Sequence, residues 1–217
     1  MKNYVLIVGG SRGGTTLAKN LFSCFEDVWL APGGEKESRL ILLNGVPSEV
    51  TESNIVLKTH YNQFDRDRLL LAREQAGGKV LFLIRDPRDT VVSYINTDGD
   101  WNYLQGNCAL VCEVIDEIDP LLIRYEDLCR FPDETQQKIA DYYGLEIAHP
   151  FSRGNERYQP IEEDFHVGSM RGGYDKDPLR SIDTASIGMW KTHAGREQAE
   201  EFANIPEVAA FIERFYV

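Results

Sequence analysis

Long apolar runs are missing from this sequence. The longest are the length of a strand, well short of the roughly twenty residues a membrane span needs, which excludes a transmembrane helix. Cysteine is scarce and unpatterned. Cys24, Cys108, Cys112 and Cys129 show no metal-ligand spacing, and only the i, i+4 pair Cys108/Cys112 can share a helix face. They read as reduced structural thiols in a reducing compartment, an expectation of cytoplasmic location. A signal peptide is not expected either, since Met1-Lys2-Asn3 runs directly into a strand-like segment. Positive charge is in deficit: 23 Lys and Arg stand against 35 Asp and Glu, a net charge of −12 at pH 7. That balance argues against a nucleic-acid binder or a reader of heavily anionic polymers, so any anionic ligand is expected on a local cluster. Arg85 with Arg88 form one candidate cluster, and Arg171, Lys176 and Arg180 form another. Internal repeats and low-complexity tracts are absent as well.

What is present is an alternation of strand-like and helix-like stretches over 217 residues, a length that suits one domain spanning 1–217. Strand-like runs are Tyr4 to Val8, Asn54 to Leu57, Lys79 to Ile84 and Leu121 to Arg124. Helix-like stretches are Thr15 to Cys24, Asp65 to Gln75, Pro87 to Ile95 and Asp133 to Tyr143. Such alternation predicts an α/β fold of three layers, a mostly parallel sheet flanked by helices, with ligands at the carboxyl ends of the strands. Asp86 as N-cap, Pro87 at the first helical position and Asp89 in the first turn mark one helix start clearly. Gly144 to Asp183, rich in glycine and proline, reads mostly as loop, and helical spacing returns over Trp190 to Phe202 and Pro206 to Tyr216.

Two segments carry the chemistry. Gly9-Gly10-Ser11-Arg12-Gly13-Gly14-Thr15-Thr16 follows a buried strand and opens a helix, the shape of a phosphate-binding P-loop. Its most telling absence is a lysine. Where a Walker loop has Gly-Lys-Ser/Thr this chain has Gly14-Thr15-Thr16, and Arg12 is the only charge in the loop. The second segment begins at Ile84-Arg85-Asp86-Pro87-Arg88-Asp89, and Ser93 lies two helical turns beyond Arg85, so a guanidinium and a hydroxyl can converge on one phosphate. A surface pairing of Arg85 with Asp86 or Asp89 is the plainer alternative. Three further segments qualify. Ile55-Val56-Leu57-Lys58-Thr59-His60 is a strand ending in a histidine, Leu122-Ile123-Arg124-Tyr125-Glu126-Asp127-Leu128 a strand ending in an aromatic, and Ser186-Ile187-Gly188-Met189-Trp190-Lys191 the lead-in to a C-terminal helix. Each alone has a bland reading: a satisfied loop histidine, a core tyrosine, an anchoring tryptophan.

In this order and spacing the five segments resemble the sulfotransferase family, whose members move a sulfuryl group from 3′-phosphoadenosine 5′-phosphosulfate (PAPS) to an acceptor hydroxyl or amine. The resemblance covers about Tyr4 to Glu201 and implies a P-loop-containing nucleotide-binding fold. It implies that Ser11, Arg12, Gly13, Gly14, Thr15 and Thr16 cradle the 5′-phosphosulfate and that Arg85 and Ser93 contact the 3′-phosphate. Tyr125 would lie on the adenine side and Ser186 would complete the 3′-phosphate site, with Arg171 and Arg180 as other candidates. His60, Lys58 and Arg12 would be the catalytic residues, and no metal would be needed. His60 would take the acceptor's proton, an imidazole with an ordinary pKa near 6.5 being mostly free base at neutral pH; Glu35 or Glu37, in the acidic loop after the first helix, are the alternative bases. Two departures stand out. The Arg-Lys-Gly triplet of the family's cytosolic branch is Asp183-Thr184-Ala185 here, and its dimerising Thr-Val pair is Gly195-Arg196, so oligomeric state stays open. The competing readings are a P-loop small-molecule kinase using ATP and Mg²⁺, weakened by the missing lysine, and a catalytically silent nucleotide-binding module. The negative charge suggests a small or cationic acceptor, with no nucleic-acid or membrane partner.

Overall fold

The computed structural model describes residues 2–32, 35–60, 66–95, 101–156 and 182–217. Five strands, β1 (Asn3–Gly9), β2 (Val28–Leu30), β3 (Asn54–His60), β4 (Val80–Ile84) and β5 (Leu121–Arg124), form one parallel sheet in the order β2-β3-β1-β4-β5. Val5, Leu6, Ile7 and Val8 of the central strand are all fully buried, because a parallel sheet needs crossovers that cover both of its faces. Leu6 and Val8 join Ile55, Leu57, Phe82 and Ile84 in one apolar layer, while Val5 and Ile7 join Val56, Leu81 and Leu83 in the other. The period of two along the strands thus divides the core between two sets of helices.

On the second of these faces lie α1 (Thr15–Leu21), α6 (Tyr125–Arg130) and α7 (Pro132–Tyr143). The first is covered by α2 (Glu35–Asn44), α3 (Arg66–Gln75), α4 (Pro87–Tyr94), α5 (Trp101–Ile118), α8 (Arg196–Ala203) and α9 (Pro206–Tyr216). In α5 the buried Leu104, Cys108, Val111, Ile115 and Ile118 recur three and four apart and make one apolar stripe. Among the described residues no helix is long and apolar enough to cross a membrane.

The three-layer architecture agrees with the sequence reading, and several elements differ from it. Strand β3 runs past the strand-like run Asn54 to Leu57 and ends in His60, as the segment Ile55 to His60 reads, whereas the helix expected to Cys24 tightens into a 3₁₀ turn over Phe22–Cys24. Tyr125 is the first residue of α6 and not the end of a strand. Glu35 opens α2 and Glu37 lies within it, so neither belongs to a loop. The helix expected from Trp190 begins as a 3₁₀ turn, Met189–Lys191, and resumes as α8. Strand β2 went unread because three edge residues give no period, and α2, α5 and α6 were also missed. Within the expected loop from Gly144, Phe151–Glu156 forms a 3₁₀ turn; residues 157–181, with Arg171, Lys176 and Arg180, lie outside the described residues, as does Asp65.

Candidate nucleotide-binding and active site

The register of the sheet builds the site. Gly9 lies opposite His60 on one side and Leu83 on the other, so the loop after β1, the end of β3 and the Arg85 corner after β4 meet at the carboxyl end of the sheet. Gly9 itself has no room for a side chain, since a Cβ would fall 2.9 Å from the Leu83 carbonyl oxygen and against Thr15. The loop closes on a hydrogen bond from the Gly13 N–H to the Gly10 carbonyl (2.9 Å) and enters α1 through Gly14 at φ 89°. Arg12 sits at φ 60°, a left-handed conformation that is rare without glycine. Its carbonyl is thereby offered to Arg85, whose Nη1 donates to it at 2.9 Å.

That bond is one of several joining the two corners. Arg12 Nε donates to Ser93 Oγ at 3.0 Å. Arg85 Nη2 donates to the Ser186 carbonyl at 2.9 Å, and its guanidinium lies 4.7 Å from the centroid of the Tyr125 ring, a cation–π contact. Tyr125 Oη and Ser186 Oγ are 2.8 Å apart, and the same ring covers Gly14, where a Cβ would overlap it. Arg12, Gly14, Arg85, Ser93, Tyr125 and Ser186, read from separate segments, therefore make one continuous contact set. On the opposite side of the loop, Thr15 Oγ1 is 3.4 Å from His60 Nε2, and buried Lys58 donates from Nζ to Thr16 Oγ1 at 2.9 Å. A second tie holds this strand end, from the Lys58 N–H to the buried Ser38 hydroxyl (3.1 Å).

One sequence expectation is corrected here. Arg88 is not a partner of Arg85 in an anion cluster: its Nε and Nη2 grip the Asp86 carboxylate at 2.9 and 2.7 Å, and its guanidinium stacks 4.5 Å from the Trp190 ring. The Asp86 pairing suggested for Arg85 is therefore made by Arg88. Asp86 also accepts from the Arg88 N–H, the capping bond that starts α4, worth about 1 kcal/mol.

Four residues escaped the sequence reading. Asp89 looked like an ordinary first-turn acid, yet it is 1% exposed and accepts the N–H groups of Gly188 (2.7 Å) and Trp190 (3.1 Å). Burial raises its pKa above the ordinary carboxylate value, and these two bonds oppose the rise. Glu126, also buried, accepts the Asp86 N–H (2.9 Å) and the Tyr216 hydroxyl (3.2 Å), and burial again raises its pKa. Lys19, fully buried in α1, donates to the Ala31 carbonyl at 3.0 Å. Asn107 in α5 was hidden because a lone polar residue in an apolar stripe carries no motif.

Two buried donors border the glycine-rich loop. Arg85 Nε and Asn107 Nδ2 lack an acceptor among the described residues, and both residues line a recess whose polar rim is Gly10, Ser11, Gly13 and Thr90 and whose remaining wall is apolar, with Leu83, Leu104, Val111 and Phe211. Unsatisfied buried N–H groups beside a glycine-rich loop fit an oxygen-bearing anionic ligand.

A parallel sheet whose central strand runs through a glycine-rich loop into a helix, with cationic side chains from two neighbouring strand ends, defines an α/β nucleotide-binding protein of the P-loop kind. The family is narrower. The sequence pattern of the sulfotransferase domain matches residues 2–210, and the chain belongs to the sulfotransferase family. Among solved structures, the sulfotransferase domain of the Synechococcus PCC 7002 olefin synthase is 16% identical, with 93% of this chain and 95% of that chain covered and a TM-score of 0.62. A sulfotransferase domain from the curacin biosynthetic pathway is 13% identical, over 94% and 96% of the two chains, with a TM-score of 0.62. Mouse sulfotransferase SULT7A1 complexed with PAP is 14% identical, over 99% of this chain and 90% of that one, with a TM-score of 0.59. At these identities the likeness concerns the fold. A search of curated protein sequences finds no match.

Proposed function

We propose that this sulfotransferase moves a sulfuryl group from PAPS to a hydroxyl or amine of a small acceptor, and that residues 1–217 act as one domain. The observation that carries this reading over an ATP-Mg²⁺ kinase is the Lys58 ammonium on Thr16 Oγ1 at 2.9 Å. Thr16 stands where a Walker loop places the hydroxyl that holds Mg²⁺, and here a cation from the neighbouring strand faces it. A divalent ion at that oxygen would meet like-charge repulsion in a buried setting.

The reaction then follows from charge. The acceptor oxygen or nitrogen bonds to sulfur, the bond from sulfur to the 5′-phosphate oxygen breaks, and the electron pair stays on that oxygen as adenosine 3′,5′-bisphosphate leaves. Arg12, Lys58 and the loop N–H groups of Gly14, Thr15 and Thr16 stabilise the charge on the leaving oxygen. His60, oriented by its contact with Thr15, takes the acceptor's proton. Arg85 and Ser93, with Ser186, read the 3′-phosphate, and Tyr125 offers a ring to the adenosine. The net charge of −12 favours a neutral or cationic acceptor, and four cysteines without disulfides favour a cytoplasmic location.

Thermal unfolding with added nucleotide tests the reading. Adenosine 3′,5′-bisphosphate at 100 times its dissociation constant is expected to add about 2.7 kcal/mol of stability, and ATP with Mg²⁺ at the same concentration far less. Equal or larger stabilisation by ATP-Mg²⁺ would favour the kinase.

A further inference from the structure

Asp89 presents a burial that its place in a helix does not explain. An acid in the first turn serves the helix dipole equally well on the surface, whereas Asp89 is 1% exposed. Taking a carboxylate out of water is costly unless charge-assisted hydrogen bonds replace its hydration. The replacements come from residues 99 and 101 positions away: the N–H groups of Gly188 and Trp190. Neighbouring side chains of the same helix turn act on the same segment. Asp86 fixes Arg88, and Arg88 stacks on Trp190. The first turn of α4 therefore holds down a strap, Ser186 to Lys191.

What the strap does is visible two residues upstream of Gly188. The Ser186 carbonyl accepts from Arg85 Nη2, and its hydroxyl meets Tyr125 Oη. Arg85 is otherwise fixed through Nη1 on the Arg12 carbonyl, with Nε buried and lacking an acceptor among the described residues. Pinning Gly188 and Trp190 fixes where the Ser186 carbonyl lies, and that carbonyl fixes the plane of the guanidinium. We infer that Asp89 is a positioning residue for 3′-phosphate recognition: it clasps the strap Ser186–Trp190 so that Arg85 and Ser186 are pre-arranged for the nucleotide, without touching it. Pre-arrangement of this kind shows as affinity for the group recognised, because the ordering cost is met before binding. The inference rests on the proposed nucleotide site.

The test compares two nucleotides that differ by the 3′-phosphate alone. Dissociation constants of adenosine 3′,5′-bisphosphate and adenosine 5′-phosphate are measured by calorimetry for the wild type, Asp89→Asn and Arg88→Ala. An asparagine keeps one acceptor oxygen but turns an N–H₂ toward the other backbone N–H, donor against donor. Asp89→Asn is expected to weaken the bisphosphate about tenfold and the monophosphate less than about threefold, about the scale of one lost charge-assisted hydrogen bond. The loss is expected in the KM for PAPS and not in kcat. Arg88→Ala, which removes the stack on Trp190 together with the grip on Asp86 but leaves Asp89 in place, is expected to give the same selective loss at about threefold, and it carries the test alone should Asp89→Asn fail to fold. Equal losses for both nucleotides, or none, would overturn the inference while leaving the nucleotide site standing. A wild type that binds both nucleotides alike would overturn the site itself, and the inference with it.

Discussion

Gly14 is where loop conformation, nucleotide site and core meet, and Gly14→Ala separates their contributions. Two costs are expected. The residue sits at φ 89°, and an alanine there carries about 1 kcal/mol of left-handed backbone penalty. Its Cβ would also overlap Cδ2 of Tyr125, with Cε2 at 2.7 Å, in a ring that is held by the Arg85 guanidinium on one side and the Ser186 hydroxyl on the other. Forcing a methyl into such a contact costs about 1–3 kcal/mol. The sum is about 2–4 kcal/mol, which for a chain of this size lowers the melting temperature by about 2–4 °C per kcal/mol. Urea unfolding of Gly14→Ala, Tyr125→Ala and the double variant gives the assay. Removing the ring relieves the overlap but not the backbone penalty, so the double variant is expected to be about 1–3 kcal/mol more stable than the sum of the single losses predicts. Additive losses would show that the ring gives way freely, and would refute the claim that Tyr125 is fixed over the loop.

Two further perturbations probe the chemistry and the charge. His60→Asn is expected to cut turnover by about 100-fold or more with adenosine 3′,5′-bisphosphate affinity and melting temperature unchanged; near-normal steady-state rates would shift the base to a carboxylate such as Glu35 or Glu37. Glu126 is buried with its pKa raised above the ordinary 4.5, so the folded state holds that proton more tightly than the unfolded state. The associated stability is present at low pH and is lost as pH rises through the folded pKa, and Asp89 acts in the same direction. Glu126→Gln is expected to flatten this decline while changing stability at pH 7 by no more than about 1 kcal/mol, read from urea unfolding across pH 4 to 8. An unchanged slope would refute it.

The departure at Gly195 has a structural reason that the sequence did not show. Gly195 is buried where a Cβ would collide with Ile95 Cδ1, so the position aligned with the family's dimerising pair is used here to bring α8 against the end of α4. A threonine has no room there. Asp183-Thr184-Ala185 similarly supplies no cation, and Ser186, which follows it, is bonded to Arg85 and Tyr125.

The alternation of strands and helices, the loop after β1 with its missing lysine and the cap at Asp86 were all legible in the sequence. Each is local: strand burial on both faces, a turn that only glycine can make, a helix start marked by Asp and Pro within a few residues. The family also followed from local segments, because their order along the chain is preserved whatever their side chains touch. Tertiary structure decided what each charged side chain does. Arg85 and Arg88 are equal in sequence, yet one spans the loop and the strap while the other is tied to Asp86 and Trp190. Asp89 reads as a helix-start acid and is buried on two backbone N–H groups; Lys58, at a strand end, is shown by the structure alone to lay its ammonium on the loop's Thr16. The bonds that tie the loop, the Arg85 corner and Ser186 together join residues 73, 81 and 101 positions apart. Such partners are set by the strand order and parallel register that bring the ends of β1, β3 and β4 side by side, and no periodicity within a segment encodes that adjacency.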